Sequence, residues 1–154
     1  MDMIVVRRGR PEDAWTIADF QVCLAEETEH IALDKGVVEK GVQAVFDDPS
    51  KGGYWVAEKD KQVVGCLLTV PEWSDWRNGT VLWIHSVYVV PEARRLGVYR
   101  SLYGHLKKEV EASDHLRGLR LYVEKENERA QEVYRAMGMD GTRYHLFEWM
   151  RDGW

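Results

Sequence analysis

The spacing of apolar residues along the chain separates helices from strands. Between Pro11 and about Thr28 the apolar residues recur every three or four positions, which predicts a helix with one apolar face. A second segment of this kind follows Asp34, a residue type that often caps a helix N-terminus, and ends near Asp47. Residues 4–6, ahead of both, form a short apolar run that predicts a first strand.

Three strands are predicted next. Residues 54–58 and 63–70 are rich in β-branched and aromatic residues and flank a short polar turn, which predicts a hairpin. Residues 80–90 are apolar at both odd and even positions, as expected for a central strand covered on both faces. Pro71 and Pro91 are expected to end the second and third of these strands, because proline cannot donate to a sheet.

The second half of the chain alternates between the two patterns. Helical spacing returns at residues 98–113 and 127–137, and strand-forming residues occupy 119–123 and 144–150. The order β, α, α, β, β, β, α, β, α, β is typical of an α/β domain built on a mixed sheet. No repeat or linker interrupts it, so a single domain over residues 1–154 is expected.

Composition excludes several functional classes. The net charge is −5, whereas nucleic-acid binding needs an excess of clustered Lys and Arg, so no nucleic-acid partner is expected. No stretch approaches the roughly 18 apolar residues of a membrane span, and the N-terminal apolar run is too short for a secretion signal, which predicts a cytoplasmic protein without a membrane partner. Cys23 and Cys66 show no metal-ligand spacing and no GxSxG sequence occurs, so neither a metal nor a serine nucleophile is expected.

Residues 89–102 carry the first chemical signal. A strand leads through Gly97 into a helix, and the N–H groups at a helix N-terminus, together with the positive end of its dipole, favour a pyrophosphate. Arg94, Arg95 and Arg100 add positive charge. On the residues alone two interpretations stay open: an anion site, or a tight turn with solvated arginines.

The same segment resembles motif A of the GNAT superfamily of acyl-CoA-dependent N-acetyltransferases, with the consensus Q/R-x-x-G-x-G/A. Arg94 and Gly97 match the first and fourth positions. Tyr99 stands where a small residue is usual, and it puts a Cβ and a ring where close approach to a phosphate is normally needed. The resemblance implies acetyl-CoA as cosubstrate. The implied cofactor-binding residues here are Val87, Tyr88, Val89, Arg94, Arg95, Leu96, Gly97, Val98, Tyr99 and Arg100.

A second segment is similar to motif B of that family, N-x-x-A-x-x-x-Y-x-x-x-G. Asn127, Ala130, Tyr134 and Gly138 occupy its marked positions. The resemblance implies that Asn127 contacts the pantetheine or the neighbouring backbone, and that Tyr134 lies near the thioester and protonates the departing CoA thiolate. A phenol suits this role, because its pKa near 10 keeps it protonated at neutral pH. Without the resemblance, Tyr134 is better explained as part of an apolar helix face.

The remaining catalytic roles are less defined. The resemblance implies a bulged central strand whose backbone N–H groups around residues 87–89 polarise the acyl carbonyl. The amine must lose a proton before it attacks, and His85, Ser86 and Glu124 are candidate bases, acting directly or through water. His85 is equally explained as a hydrogen-bonded core histidine.

The acceptor is predicted to be a small cationic amine, recognised by carboxylates and aromatic faces, which both favour a positive charge. Acidic residues cluster near the end of the first helix, and tryptophans lie in the loop before the central strand. The selected substrate-binding residues are Glu27, His30, Trp76 and His85. The alternatives are a solvated acidic surface and tryptophans that cap the core or join subunits. The tryptophan-rich loop and residues 144–150 also suggest a homodimer.

Over nearly the whole chain, the resemblance implies the GNAT fold: a twisted, mostly antiparallel sheet with a central splayed parallel pair, flanked by about four helices. It implies direct transfer of an acetyl group from acetyl-CoA to a primary amine in a ternary complex. Two alternatives remain at this stage: a non-catalytic acyl-CoA sensor on the same fold, and a regulatory partner protein that has lost cofactor binding.

Overall fold

The computed structural model describes residues 3–153 and divides into two compact units, one ending at Arg120 and the other beginning at Leu121. Within the described residues there are five strands and four α-helices. In chain order they are β1 (Val5–Arg8), α1 (Ala14–Glu29), α2 (Lys35–Asp47), β2 (Gly53–Lys59), β3 (Gln62–Ser74), β4 (Gly79–Val89), α3 (Val98–Glu111), β5 (Leu116–Arg120) and α4 (Glu128–Ala136). The first unit holds the sheet and α1 to α3, and the second holds α4.

The sheet confirms the predicted mixed topology. Its strands lie in the order β1-β2-β3-β4-β5. The first three pairings are antiparallel, and β4 with β5 forms the parallel pair. Because β5 follows β4 in parallel, the chain must cross back between them, and α3 makes that crossover.

Each face of the sheet is covered by a different part of the chain. On one face, α1 and α2 pack against the sheet in a core that includes Ile17, Val56 and Cys66. On the other face, α3 packs through Leu102 and neighbouring apolar residues spaced four apart, and Leu102 is 0% exposed. This burial on both sides explains why β4 is apolar at both parities.

Local sequence signals fix the ends of the helices. The Asp34 carboxylate accepts a hydrogen bond from the Val37 N–H at 3.1 Å, as expected of the predicted cap of α2. A short 3-10 turn, Pro11–Asp13, precedes α1, and Asp13 there pairs with Arg7 of β1 at 2.8 Å. None of the helices within residues 3–153 has the length and apolar character that a bilayer crossing requires.

The prediction that Pro71 ends its strand is wrong. β3 continues to Ser74, with Pro71 opposite Leu82 of β4. β2 pairs with β3 only as far as Thr69, so Pro71 lies where β3 has become an edge on that side. A proline is tolerated on such an edge, because no N–H is needed there.

The strand predicted at 119–123 is displaced toward the N-terminus. β5 is formed where its backbone pairs with β4, from Leu116 opposite Thr80 to Arg120 opposite Trp83. No local pattern indicates this start, because Gly118 is a poor strand former.

The last predicted strand is also wrong. Residues 144–150, all within the described range, form no strand, and the second unit contains no strand to pair with them. Backbone groups need such a partner to make a ladder, whatever the side chains favour. Their aromatic side chains are instead exposed, Phe147 by 93% and Trp149 by 86%.

Candidate functional site

The central strand β4 contains an extra residue relative to its neighbour β3. Cys66 pairs with Tyr88, and Leu68 pairs with His85, so Leu67 lies opposite both residues between them. One of these, Ser86, has a left-handed backbone with φ 56°. This is a β-bulge, which bends a strand and redirects its backbone groups. It lies where the resemblance implied one.

A buried thiol supports the bulge from β3. The Gln21 amide of α1 donates to the Cys66 sulfur at 3.6 Å, and the thiol donates to the Ser86 carbonyl at 3.9 Å. Burial raises the pKa of the Cys66 thiol to about 12, so it stays protonated at neutral pH and is no nucleophile. No local pattern indicates this contact, because Gln21 and Cys66 lie 45 residues apart.

The edge of β4 that faces β5 is left open beyond the bulge. Within residues 3–153, β5 pairs with β4 only as far as Trp83, whereas β4 runs on to Val89. The Val90 N–H donates to Val64 of β3, at 2.9 Å. Because successive residues of a strand turn their N–H groups to opposite sides, the Val89 N–H faces away from β3, toward the open edge. The N–H of Val87, two residues earlier, faces the same way.

The turn that follows β4 ends in an exposed helix N-terminus. Arg95 and Gly97 both have left-handed backbones, with φ 65° and φ 81°, and Gly97 precedes the first residue of α3. The first backbone bond of α3 runs from the Ser101 N–H to the Gly97 carbonyl, at 2.9 Å. The N–H groups of the first turn therefore have no acceptor inside the helix. Residues 94–97 and Arg100 are exposed.

Arg94 of this turn is bound to the end of α1. One guanidinium nitrogen, Nη2, lies 2.6 Å from the Glu27 carboxylate, and Nε donates to the Val89 carbonyl at 2.9 Å. The second Glu27 oxygen accepts from the Tyr88 hydroxyl at 3.4 Å. Sequence reasoning placed Arg94 at the cofactor and Glu27 at the acceptor. It missed their contact, because they are 67 residues apart.

His85 lies on β4 one residue before the bulge and pairs with Leu68 of β3. Because Leu68 packs in the core beneath α1 and α2, His85 lies on that same face of the sheet. Its ring is stacked with that of Trp83, with centroids 6.1 Å apart and planes 5° from parallel. Burial lowers the pKa of His85 from 6.5, so its imidazole is neutral at pH 7. A neutral imidazole can accept a proton.

The other predicted acceptor residues lie at surface positions. His30 ends α1 with a left-handed backbone and is exposed. Trp76 lies in a 3-10 turn, Asp75–Arg77, with 91% of its surface exposed. Trp73, predicted in the same loop, belongs to β3 instead, opposite Thr80.

In the second unit, the motif B residues form the start and middle of α4. The Asn127 side-chain oxygen caps the helix by accepting from the Ala130 N–H at 3.2 Å. Burial raises the pKa of the Tyr134 phenol above 10, so it is a proton donor at neutral pH. The exposed carboxylate of Glu124 accepts from the Glu126 N–H at 2.7 Å, in the loop before α4.

These features in the first unit fit a CoA thioester. The unpaired N–H groups at the start of α3, with the exposed Arg95 and Arg100 beside them, are suited to a pyrophosphate. The N–H groups of Val87 and Val89 are suited to the amides and carbonyl of an extended chain laid along the open edge. Within residues 3–153, no group of three His, Cys, Asp or Glu side chains is arranged to hold a metal.

The acetyltransferase (GNAT) family model matches residues 14–139, which include both motifs. No curated protein sequence gives a match to this chain.

Solved structures agree with the family match. A "possible acetyltransferase" from Clostridium difficile 630 is 42% identical over 97% of this chain and 98% of its own, with a TM-score of 0.90. The aminoglycoside N-acetyltransferase AAC(6')-Iy, solved in complex with CoA, is 15% identical over 98% of this chain and 97% of its own, with a TM-score of 0.74. A ribosomal-protein-alanine N-acetyltransferase from Brucella melitensis biovar Abortus 2308 is 13% identical over 96% of this chain and 99% of its own, with a TM-score of 0.77.

Proposed function

The chain belongs to the GNAT acetyltransferase family, and on that basis we propose that it transfers an acetyl group from acetyl-CoA to a primary amine of a small cationic molecule. The observation that carries the proposal is the bulge in β4 beside an edge that β5 leaves open. Acetyl-CoA supplies the acetyl group as a thioester. The residues of the chain then have to bind it, polarise its carbonyl and move two protons.

Binding is assigned to the first unit. The N-terminus of α3, Arg95 and Arg100 hold the pyrophosphate by backbone N–H groups and charge. The Val87 and Val89 N–H groups hold the extended pantetheine and the acyl oxygen. A backbone donor is preferable here, because it is fixed by the strand and needs no rearrangement during the reaction. Asn127 of the second unit is a further contact implied by the family, with its side-chain NH₂ group left over from capping.

Two side chains carry the protons. His85 accepts a proton from the ammonium group of the acceptor, directly or through water, since its lowered pKa keeps it neutral. Tyr134 donates a proton to the CoA thiolate as it leaves, since its raised pKa keeps the phenol protonated. The second proton that the attacking nitrogen gives up as the amide forms restores the Tyr134 phenol. The transfer is direct, and the protonated, buried Cys66 takes no covalent part in it.

The most specific part of the proposal is the class of amine that accepts the acetyl group. The Trp83 and His85 rings form an aromatic surface on β4, which suits a cationic amine through cation–π attraction. The two distant structures named above act, by their names, on an aminoglycoside and on a protein alanine. The same fold therefore serves quite different amines, and fold alone does not select among them.

The test is release of CoA thiol from acetyl-CoA by the full chain with a panel of amines: a polyamine, an aminoglycoside, an amino acid and a peptide N-terminus. Turnover with at least one amine is expected. Tyr134→Phe should lower kcat about 100-fold or more while leaving the Kd of acetyl-CoA unchanged, because only the proton donor is lost.

Tyr103→Phe, which removes a hydroxyl from α3 outside the proposed machinery, is the matched control and should leave kcat unchanged. Tight acetyl-CoA binding without turnover on any amine would instead identify a non-catalytic acyl-CoA-binding protein. The bulky Tyr99 at a position where the family usually has a small residue is the feature that favours this second candidate.

A further inference from the structure

Three elements of the first unit meet at one charged contact. Glu27 lies in the last turn of α1, Tyr88 lies near the end of β4, and Arg94 lies in the turn that leads to α3. We refer to these three residues as the Arg94 cluster. They bring the end of α1 to the turn assigned to the pyrophosphate.

The contacts of the cluster fix the Arg94 side chain from three directions. Its Nη2 lies 2.6 Å from the Glu27 carboxylate. Its Nε donates to the Val89 carbonyl at 2.9 Å, and its guanidinium carbon lies 5.6 Å from the centroid of the Tyr88 ring. A guanidinium held by an ion pair, a carbonyl and an aromatic ring has little freedom to rotate.

The Glu27 carboxylate is fully engaged in the same contact. Oε2 accepts from Arg94, and Oε1 accepts from the Tyr88 hydroxyl at 3.4 Å. The Tyr88 ring is buried against Phe20 of α1, with centroids 5.0 Å apart, so it forms a rigid base for the cluster. An acceptor ammonium that bound Glu27 would have to compete with a guanidinium already in place.

The position of Arg94 gives this contact a consequence for cofactor binding. Arg94 immediately precedes Arg95, whose left-handed backbone and charge lie in the proposed pyrophosphate turn. Val89, whose carbonyl Arg94 holds, ends the open edge proposed for the pantetheine. The contacts of Arg94 therefore hold both ends of residues 89–95, the segment that joins the proposed pantetheine edge to the proposed pyrophosphate turn.

We propose that Glu27 is a positioning residue for acetyl-CoA binding, acting through Arg94, and that it does not bind the acceptor. The inference rests on the proposed function, because it assumes that the turn after β4 binds acetyl-CoA. Removal of Glu27 loosens the turn, so part of the binding free energy is then spent on ordering it.

The test measures the Kd of acetyl-CoA by calorimetry, without an amine, for the wild type, Glu27→Ala, Glu27→Gln, Arg94→Ala and the double alanine variant. Glu27→Ala should raise the Kd about two- to fivefold, the range that one partly exposed ion pair supports. Glu27→Gln, which keeps one acceptor oxygen, should fall between it and the wild type. The double variant should be no weaker than Arg94→Ala, because Glu27 acts only through Arg94.

Glu26→Ala is the matched control, since it removes an exposed carboxylate from the adjacent position of the same helix, and its Kd should equal that of the wild type. The KM of the amine, measured separately, should be unchanged in Glu27→Ala. Urea unfolding of the wild type and the three alanine variants of the cycle gives a readout without ligand, and a non-additive loss of stability is expected there.

Two results would overturn the inference. One is an unchanged or lower Kd for acetyl-CoA in Glu27→Ala together with a raised amine KM, which would make Glu27 an acceptor residue. The other is full additivity of the two alanine substitutions in the Kd. Failure of the proposed function is distinct from both, since the wild type itself would then either bind no acetyl-CoA or bind it without turnover on any amine.

Discussion

His85 combines the position and the ionisation state that a proton acceptor needs. It lies one residue before the bulge of β4, and its ring is stacked on Trp83. Burial lowers its pKa because the charged imidazolium loses hydration in the half-buried site. The neutral form is therefore the resting form at physiological pH.

This ionisation predicts the shape of the pH profile. A base is active when deprotonated, and the lowered pKa keeps His85 deprotonated down to a pH below 6.5. We expect kcat, measured with saturating amine, to fall toward acidic pH with a midpoint below pH 6.5. His85→Gln should lower kcat and remove this acidic limb. His115→Gln, at an exposed histidine elsewhere in the unit, should leave the limb in place. A limb that survives in His85→Gln would assign the base to another group.

Individual site residues could be predicted only where they belong to a short motif with a characteristic spacing. Gly97 and Tyr134 were selected because they match short motifs. The roles of Cys66 and Glu27 depend on contacts with residues far along the chain, so no local pattern indicated them. His85 stands out because it interrupts an apolar strand, and its role as the base is a proposal.

At the scale of elements, the start of α3 is the one most closely tied to the proposed function. The sequence placed this helix correctly from the four-residue spacing of its apolar positions and from Gly97 before it. An ideal Cβ built on Gly97 meets no atom within 4 Å, so only the left-handed backbone there requires glycine.

Two glycines at the start and middle of α3 should therefore respond in opposite ways to the same substitution. Gly97→Ala should destabilise the protein by about 1 kcal/mol, because alanine is strained at φ 81°. Gly104→Ala, in the helix interior with equal space for a Cβ, should stabilise it by about 0.5–1 kcal/mol. Urea unfolding measures both. If both substitutions destabilised the protein equally, that result would contradict a left-handed backbone at Gly97.

The elements that sequence reasoning misplaced are those that depend on a partner strand. β3 passes Pro71 because β2 has already ended on that side. β5 begins at Leu116 because β4 pairs with it there. Residues 144–150 have a strand-like composition but no strand beside them in their own unit. Helices, whose hydrogen bonds are local, were placed more accurately.

At the scale of the whole molecule, family membership rests on both motifs and on the order of elements. Family membership supports acetyl transfer as the reaction more strongly than it supports any particular acceptor amine. Acceptors are recognised by side chains that differ between proteins of the same fold. A homodimer stays a prediction. The exposed aromatic side chains at 144–150, among them Phe147 and Trp149, are where a second copy would be expected to bind.

The central claim, that this chain binds acetyl-CoA at the turn before α3, is tested most directly by thermal unfolding of the full chain with and without acetyl-CoA. Saturation at about 100 times Kd adds roughly 2.7 kcal/mol, which should raise the Tm by about 5–10 °C for a protein of this size. Arg95→Ala should reduce that shift without changing the Tm of the protein alone. An unchanged Tm with acetyl-CoA, CoA and longer acyl-CoA would contradict the claim, and would leave a protein with this fold but without its cosubstrate.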